Sequence, residues 1–181
     1  MTREVALLRG VNVGGRNILP MAVLRTVVES VGHCDVETYI QSGNVVFTAN
    51  DAGASRAHMA GELHEAISAA AGLDIVVIVR SAAEMAAAVE RIPFDMSDPA
   101  KLYVFFLGGA PSAEAISKLE PERFAPDHFQ VVGDHLYAFF PEGLGRSKFT
   151  NDYIERRLAV PATARNLNTV RRVLQMAQRA N

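Results

Sequence analysis

Arginine, asparagine and glycine crowd one stretch of the sequence in a way that suits anion recognition. Arg9, Asn12, Gly14, Gly15, Arg16 and Asn17 close one apolar run, and Gln41, Ser42, Gly43 and Asn44 close another. Guanidinium and amide groups donate hydrogen bonds. Backbone N–H groups in a glycine turn or at a helix start form a concavity for phosphate or carboxylate. A second account needs no ligand: glycine turns the chain at positive φ without strain. Ser42-Gly43-Asn44 is also good hairpin chemistry, and Asn12 and Asn17 are able to satisfy nearby backbone groups. Residue by residue that account ranks first, and for the cluster together a binding site does. The stretch has neither the lysine and spacing of a P-loop nor a G-x-G-x-x-G fingerprint.

A second polar group lies near the C-terminus, in Gly143-x-Gly145-Arg146-Ser147-Lys148 and in Thr163-Ala-Arg165-Asn166-Leu-Asn168-Thr169. Both segments precede helical patterns, so Ser147 and Asn168 or Thr169 read as N-caps. The functional reading is an anion site using Lys148, Arg165, Asn166 and exposed N–H groups. His33, His58, His64, His128 and His135 show no metal spacing and read as surface or hairpin histidines. Cys34 reads as a small half-buried side chain with no basic partner to activate it. No serine sits in a G-x-S-x-G elbow. Asp152 and Glu155 read as a solvated helix face. No nucleophile, metal or cofactor is implied, so catalysis is left open.

The elements that must position these residues follow from periodicity. Val5–Val11 is a nearly continuous apolar run, as in a strand buried on both faces. Leu24, Val27, Val28 and Val31 recur at helical spacing up to Gly32. Val36–Ile40 and Val45–Thr48 flank a hairpin turn. An Ala-rich helix follows to Gly72, then a strand over Ile75–Val79. Ser81-x-x-Glu84 is a capping box opening a further helix. The second half repeats the order: a strand at Leu102–Leu107, a helix from Ser112, a hairpin around Gly133-Asp134, a helix from about Ser147, a short strand at Ala162–Arg165 and a last helix. The pattern is α+β, with two ferredoxin-like (βαββαβ) subdomains in tandem, residues 1–95 and 96–181, each with a trailing helix. A single mixed sheet without a repeat is the alternative. In a split βαβ the end of the first strand and the turn between the second and third share one sheet edge. Arg9–Asn17 and Gln41–Asn44 are therefore expected side by side.

Composition narrows the partners. The 181 residues are 49% hydrophobic and 21% charged, with net charge −2, one cysteine and no tryptophan. That is globular usage. The basic excess of a nucleic-acid binder is missing, so a nucleic-acid partner is not expected. A lone cysteine offers no internal disulfide. No apolar stretch nears the roughly 18 residues of a membrane span, and the N-terminus has no apolar leader. Cytoplasmic residence and no membrane partner are the expectations, with oligomeric state left open.

Leu8-Arg9-Gly10-Val11-Asn12-Val13-Gly14-Gly15-x-Asn17 and Thr38-Tyr39-Ile40-Gln41-Ser42-Gly43-Asn44-Val45-Val46-Phe47 resemble the N-terminal signature of the bacterial domain-of-unknown-function 1697 family. Ser147-Lys148, Glu155 and Thr163-x-Arg165-Asn166-x-Asn168-Thr169-Val170 are similar to its second signature. The resemblance implies two similar ferredoxin-like subdomains and brings no established activity, substrate or cofactor. Leu167 stands where the family usually has Trp, which puts any aromatic ligand contact there in doubt. Three functions stay in play: a small anionic ligand, a non-catalytic interaction module, and single-stranded RNA binding. The last lacks the paired aromatics of an RNP motif.

Overall fold

A computed structural model describes residues 3–95 and 97–179. Among them lie six α-helices and two four-stranded antiparallel sheets, a mixed α+β fold. The first half runs β1 (Arg3–Leu8), α1 (Met21–Ser30), β2 (Cys34–Tyr39), β3 (Asn44–Thr48), α2 (Arg56–Ala71), β4 (Val77–Ser81) and α3 (Ala82–Glu90). The second runs β5 (Leu102–Leu107), α4 (Ala113–Ser117), β6 (His128–Val132), β7 (His135–Phe139), α5 (Asn151–Leu158), β8 (Ala162–Asn166) and α6 (Leu167–Ala177). The sheet orders are β2-β3-β1-β4 and β6-β7-β5-β8. By contacts, the described residues up to Ala86 and those from Arg172 onward form one compact unit, and the described residues between Ala87 and Arg171 the other. The division falls inside α3 and α6.

In the first unit β1 pairs with β3, Val5 opposite Val46, and with β4, Val5 opposite Arg80. Ala6, Leu8, Val45, Phe47, Val77 and Val79 turn one sheet face toward Leu24, Val27 and Val28 of α1 and Met59, Leu63 and Ile67 of α2. In the second unit Phe105, Leu107, Leu136, Ala138 and Ala162 face Phe124, Phe149, Tyr153, Ile154 and Leu158. The alternate positions Val5, Leu7 and Val46, and Val104, Phe106 and Tyr137, are buried as well. Central strands covered on both faces explain the unbroken apolar runs.

Local chemistry sets the helix ends. Ser55 Oγ accepts from His58 N, and α2 stops at Gly72 with φ 66°. At α3 the capping box is reciprocal: Glu84 N donates to Ser81 Oγ at 3.1 Å, and Ser81 N donates to Glu84 Oε2 at 2.8 Å. Two expected caps differ. Thr150, not Ser147, caps α5, because a 3-10 turn at Leu144–Arg146 intervenes before the helix. Asn166, not Asn168 or Thr169, caps α6, because β8 runs straight into it.

Candidate functional site

The first polar cluster assembles at one sheet edge, as the strand order requires. Leu8 N donates to Gly43 O at 2.9 Å, and Asn12 Nδ2 donates to Gln41 O at 2.8 Å. Asn12 N bonds Asn17 O, and Arg16 N bonds Val13 O at 3.0 Å across Gly14 and Gly15, whose φ values are 58° and 73°. Positive φ at both central residues is a type I′ turn, so residues 12–17 are a small β-hairpin standing clear of the sheet. Its stem is held by side chains. Asn12 Nδ2 also donates to Leu19 O and Asn12 Oδ1 accepts from Leu19 N, both at 2.9 Å. Asn17 Nδ2 donates to Gly10 O at 3.1 Å, and buried Asn44 donates to Tyr39 O and Ser42 Oγ. The asparagine amides thus serve the chain's own backbone. Arg9 is half-buried, while Gly14, Gly15, Arg16, Asn17 and Gln41 are exposed.

The second polar group separates. Arg165 lies on β8 opposite Val104, on the face away from the aromatic core. Its Nη1 donates to Thr163 Oγ1 and Ala164 O, both at 2.8 Å, and burial pulls its pKa down to about 10. Asn166 Oδ1 accepts from Thr169 N at 2.9 Å. Lys148 is elsewhere, on the connection between β7 and α5.

There it lines a cavity of about 240 Å3 with Arg123, Phe124, Asp127, Glu142, Arg146 and Ser147. The walls are the segment entering β6 and the segment leaving β7. Phe124 of the first meets Phe149 of the second edge to face at 5.1 Å, and both meet Tyr153 of α5. Ser147 Oγ donates to Asp127 Oδ2 at 2.6 Å and accepts from Phe149 N at 2.9 Å. The mouth therefore carries three cations and two carboxylates beside Phe124. Arg123 shares itself with Glu120, 3.7 Å away, and with the Phe124 ring.

The topologically equivalent corner of the first unit, between residues 31–33 and 49–55, is bridged by Asn50. Asn50 Nδ2 donates to Val31 O at 2.9 Å, and Asn50 N donates to His33 Nδ1 at 3.3 Å. A Cβ on Gly32 would lie 2.9 Å from Asn50 Nδ2. Direct bonds cross this corner in both units, Asn50 to Val31 and His33 in the first and Ser147 to Asp127 in the second, and in the second a cationic cavity lies beside them.

Sequence reading missed Arg123, Asp127 and Glu142, which have no motif and reach Lys148 only through folding. The Gly-Arg-Ser-Lys run was the available signal. Two histidine assignments are corrected: His33 and His135 are buried, His33 stacking on Phe47 at 4.5 Å. Cys34 is exposed, not half-buried, because it stands at the start of an edge strand beside a register shift. Among the described residues no group of three or more His, Cys, Asp or Glu is placed to hold a metal, and no helix is long and apolar enough to cross a membrane.

The family model for "Protein of unknown function (DUF1697)" matches residues 1–137. The chain belongs to this family. The match contains the whole N-terminal signature and the Arg123 and Asp127 wall of the cavity, and ends before Ser147-Lys148. No curated protein matches the chain. Among solved structures it is similar to a conserved bacterial protein, SP0830 from Streptococcus pneumoniae, at 23% identity and a TM-score of 0.67, over 98% of this chain and 99% of that one. At that identity the likeness concerns the fold, and no specific function comes with it.

Proposed function

We propose that the protein binds a small anionic ligand, bearing phosphate or carboxylate, in the cavity between Arg123–Asp127 and Glu142–Lys148. The observation that carries this is the convergence of Arg123, Arg146 and Lys148 on one cavity. Cations gathered around one concave site focus an attractive field on an anion more than scattered surface cations do. Each half is also read as ferredoxin-like with a trailing helix. The shared strand order, with the third strand between the first two and antiparallel to both, supports that reading. Cytoplasmic residence remains the inferred location, on the lone cysteine.

The test is a thermal-shift titration with inorganic phosphate and with citrate, on the wild type and on Arg146→Ala, Lys148→Ala and Arg9→Ala. At a hundredfold excess over Kd, binding adds about 2.7 kcal/mol of stability. The shift is expected to vanish in Arg146→Ala and Lys148→Ala, both surface positions, and to persist in Arg9→Ala. A shift lost only in Arg9→Ala moves the anion to the first sheet edge, and no shift with either anion removes the proposal.

A second reading has its own observation. The hairpin at residues 12–17 leaves Val13 and Ile18 more than 60% exposed, and Ile40 beside it is 50% exposed at φ 49°. A β-branched residue at positive φ is a strained position. Strain and exposed apolar surface held together suit a contact with another protein. Val13→Ser with Ile18→Ser that lowers a measured self-association, leaving melting unchanged, would favour it.

A further inference from the structure

The cavity's carboxylates are as informative as its cations. A site built for a bare anion gains nothing from Asp127 and Glu142, which repel it. A ligand that presents an anionic group at one end and hydroxyl groups at the other uses both signs. Asp127 already behaves this way toward a hydroxyl: its Oδ2 accepts from Ser147 Oγ at 2.6 Å, and Oδ1 is a further acceptor. Phe124 supplies apolar wall for a carbon skeleton. Three cations exceed what a carboxylate needs, whereas a phosphate monoester carries about −1.5 to −2 at neutral pH and offers three acceptor oxygens. The volume, about 240 Å3, lies below the roughly 300–1,000 Å3 of drug-sized sites, which suits a monosaccharide-sized compound.

On the anion-binding reading above, we propose that the ligand is the phosphate monoester of a small polyhydroxy compound, a sugar phosphate. The phosphate meets Arg146, Lys148 and Arg123, and the sugar hydroxyls donate to Asp127 and Glu142.

Calorimetric titration of the full chain at low ionic strength would use inorganic phosphate, ribose 5-phosphate, ribose and glycerate. Ribose 5-phosphate is expected to bind about tenfold tighter than phosphate or more, the effect of one added hydrogen bond to a charged acceptor. Ribose and glycerate should bind weaker than either. In Glu142→Gln and in Asp127→Asn the preference for ribose 5-phosphate over phosphate should shrink, while phosphate binds no weaker because a repelling charge has gone. Glu142 is exposed, so its variant tests the idea even if Asp127→Asn disturbs the Ser147 bond. Equal affinity for phosphate and ribose 5-phosphate overturns the sugar phosphate and leaves the anion site standing. So does a preference that survives both variants, or glycerate binding as well as the phosphate ester. Failure of phosphate and ribose 5-phosphate alike overturns the anion site itself.

Discussion

Asn12 holds φ 55° and spends both ends of its amide on Leu19 and Gln41. Asn12→Ala loses three hydrogen bonds and puts a Cβ-bearing residue without that compensation in the left-handed region. A loss of about 3 kcal/mol is expected in urea unfolding. Two glycines make a paired test. A Cβ on Gly43 would stand 2.7 Å from Leu8 Cβ at φ 72°, while one on Gly14 meets nothing within 4 Å at φ 58°. Gly14→Ala should cost about 1–2 kcal/mol, the left-handed penalty alone. Gly43→Ala adds overpacking, a further 1–3 kcal/mol or so. Equal losses would show that the Leu8 contact relaxes freely. The asparagine roles were legible in sequence as turn and backbone chemistry, because they depend on neighbours close along the chain or on a hairpin already apparent. Burial of His33 and His135 was not, because it depends on packing that only the fold creates, Phe47 and Glu62 against His33 and the Phe106 ring beside His135.

At the scale of elements, α2 is docked through two buried titratable groups. Burial lowers the His33 pKa, with Glu62 acting the other way. Burial raises the Glu4 pKa, with Arg56, 3.6 Å away, opposing it and Glu84 adding to it. For His33 the unfolded chain binds more protons, so its contribution is present above about pH 6.5 and is lost as pH falls through the folded pKa. For Glu4 the folded chain binds more, so its contribution is full below 4.5 and is lost as pH rises through the folded pKa. Urea unfolding from pH 4 to 8 should therefore show Glu4→Gln more stable than wild type at pH 7 and equal to it at pH 4. His33→Gln should flatten the decline below pH 6.5. Breaking the capping box with Ser81→Ala should cost about 1 kcal/mol. Element order and the Ser81 box were readable because periodicity and caps are local. The caps of α5 and α6 were misread because a 3-10 turn and a direct strand-to-helix junction carry no separate signal.

At the scale of the whole chain, the described residues from Arg172 onward belong with the first unit. Arg3 Nη1 donates to Met176 O at 3.1 Å, and Arg3 Nη2 holds Asp35 O and Glu37 Oε1, both at 2.8 Å. A chain cut after residue 95 lacks that segment. Circular dichroism of residues 1–95 alone should show a lower melting temperature than residues 1–95 joined to 172–181 through a flexible linker. The repeat also carries a residue-level mark that the sequence hides. Arg80 and Arg165 sit at matching places, opposite Val5 and Val104, and each Nη1 donates to the preceding carbonyl, Val79 O at 3.0 Å and Ala164 O at 2.8 Å. Each is followed by a residue that caps a helix, Ser81 or Asn166. The matched pair emerges only once register is known. The cationic cavity, in contrast, lies at a corner whose counterpart in the first unit is bridged by Asn50. Two units of one strand order thus differ at this corner: the segment between β3 and α2 spans residues 49–55, whereas that between β7 and α5 spans 140–150 and brings Arg146 and Lys148 to the cavity that Arg123 lines. On the proposed anion-binding reading this difference confines ligand preference to one half of the chain, so substitutions that alter anion affinity are expected between residues 121 and 148 and not between 31 and 55.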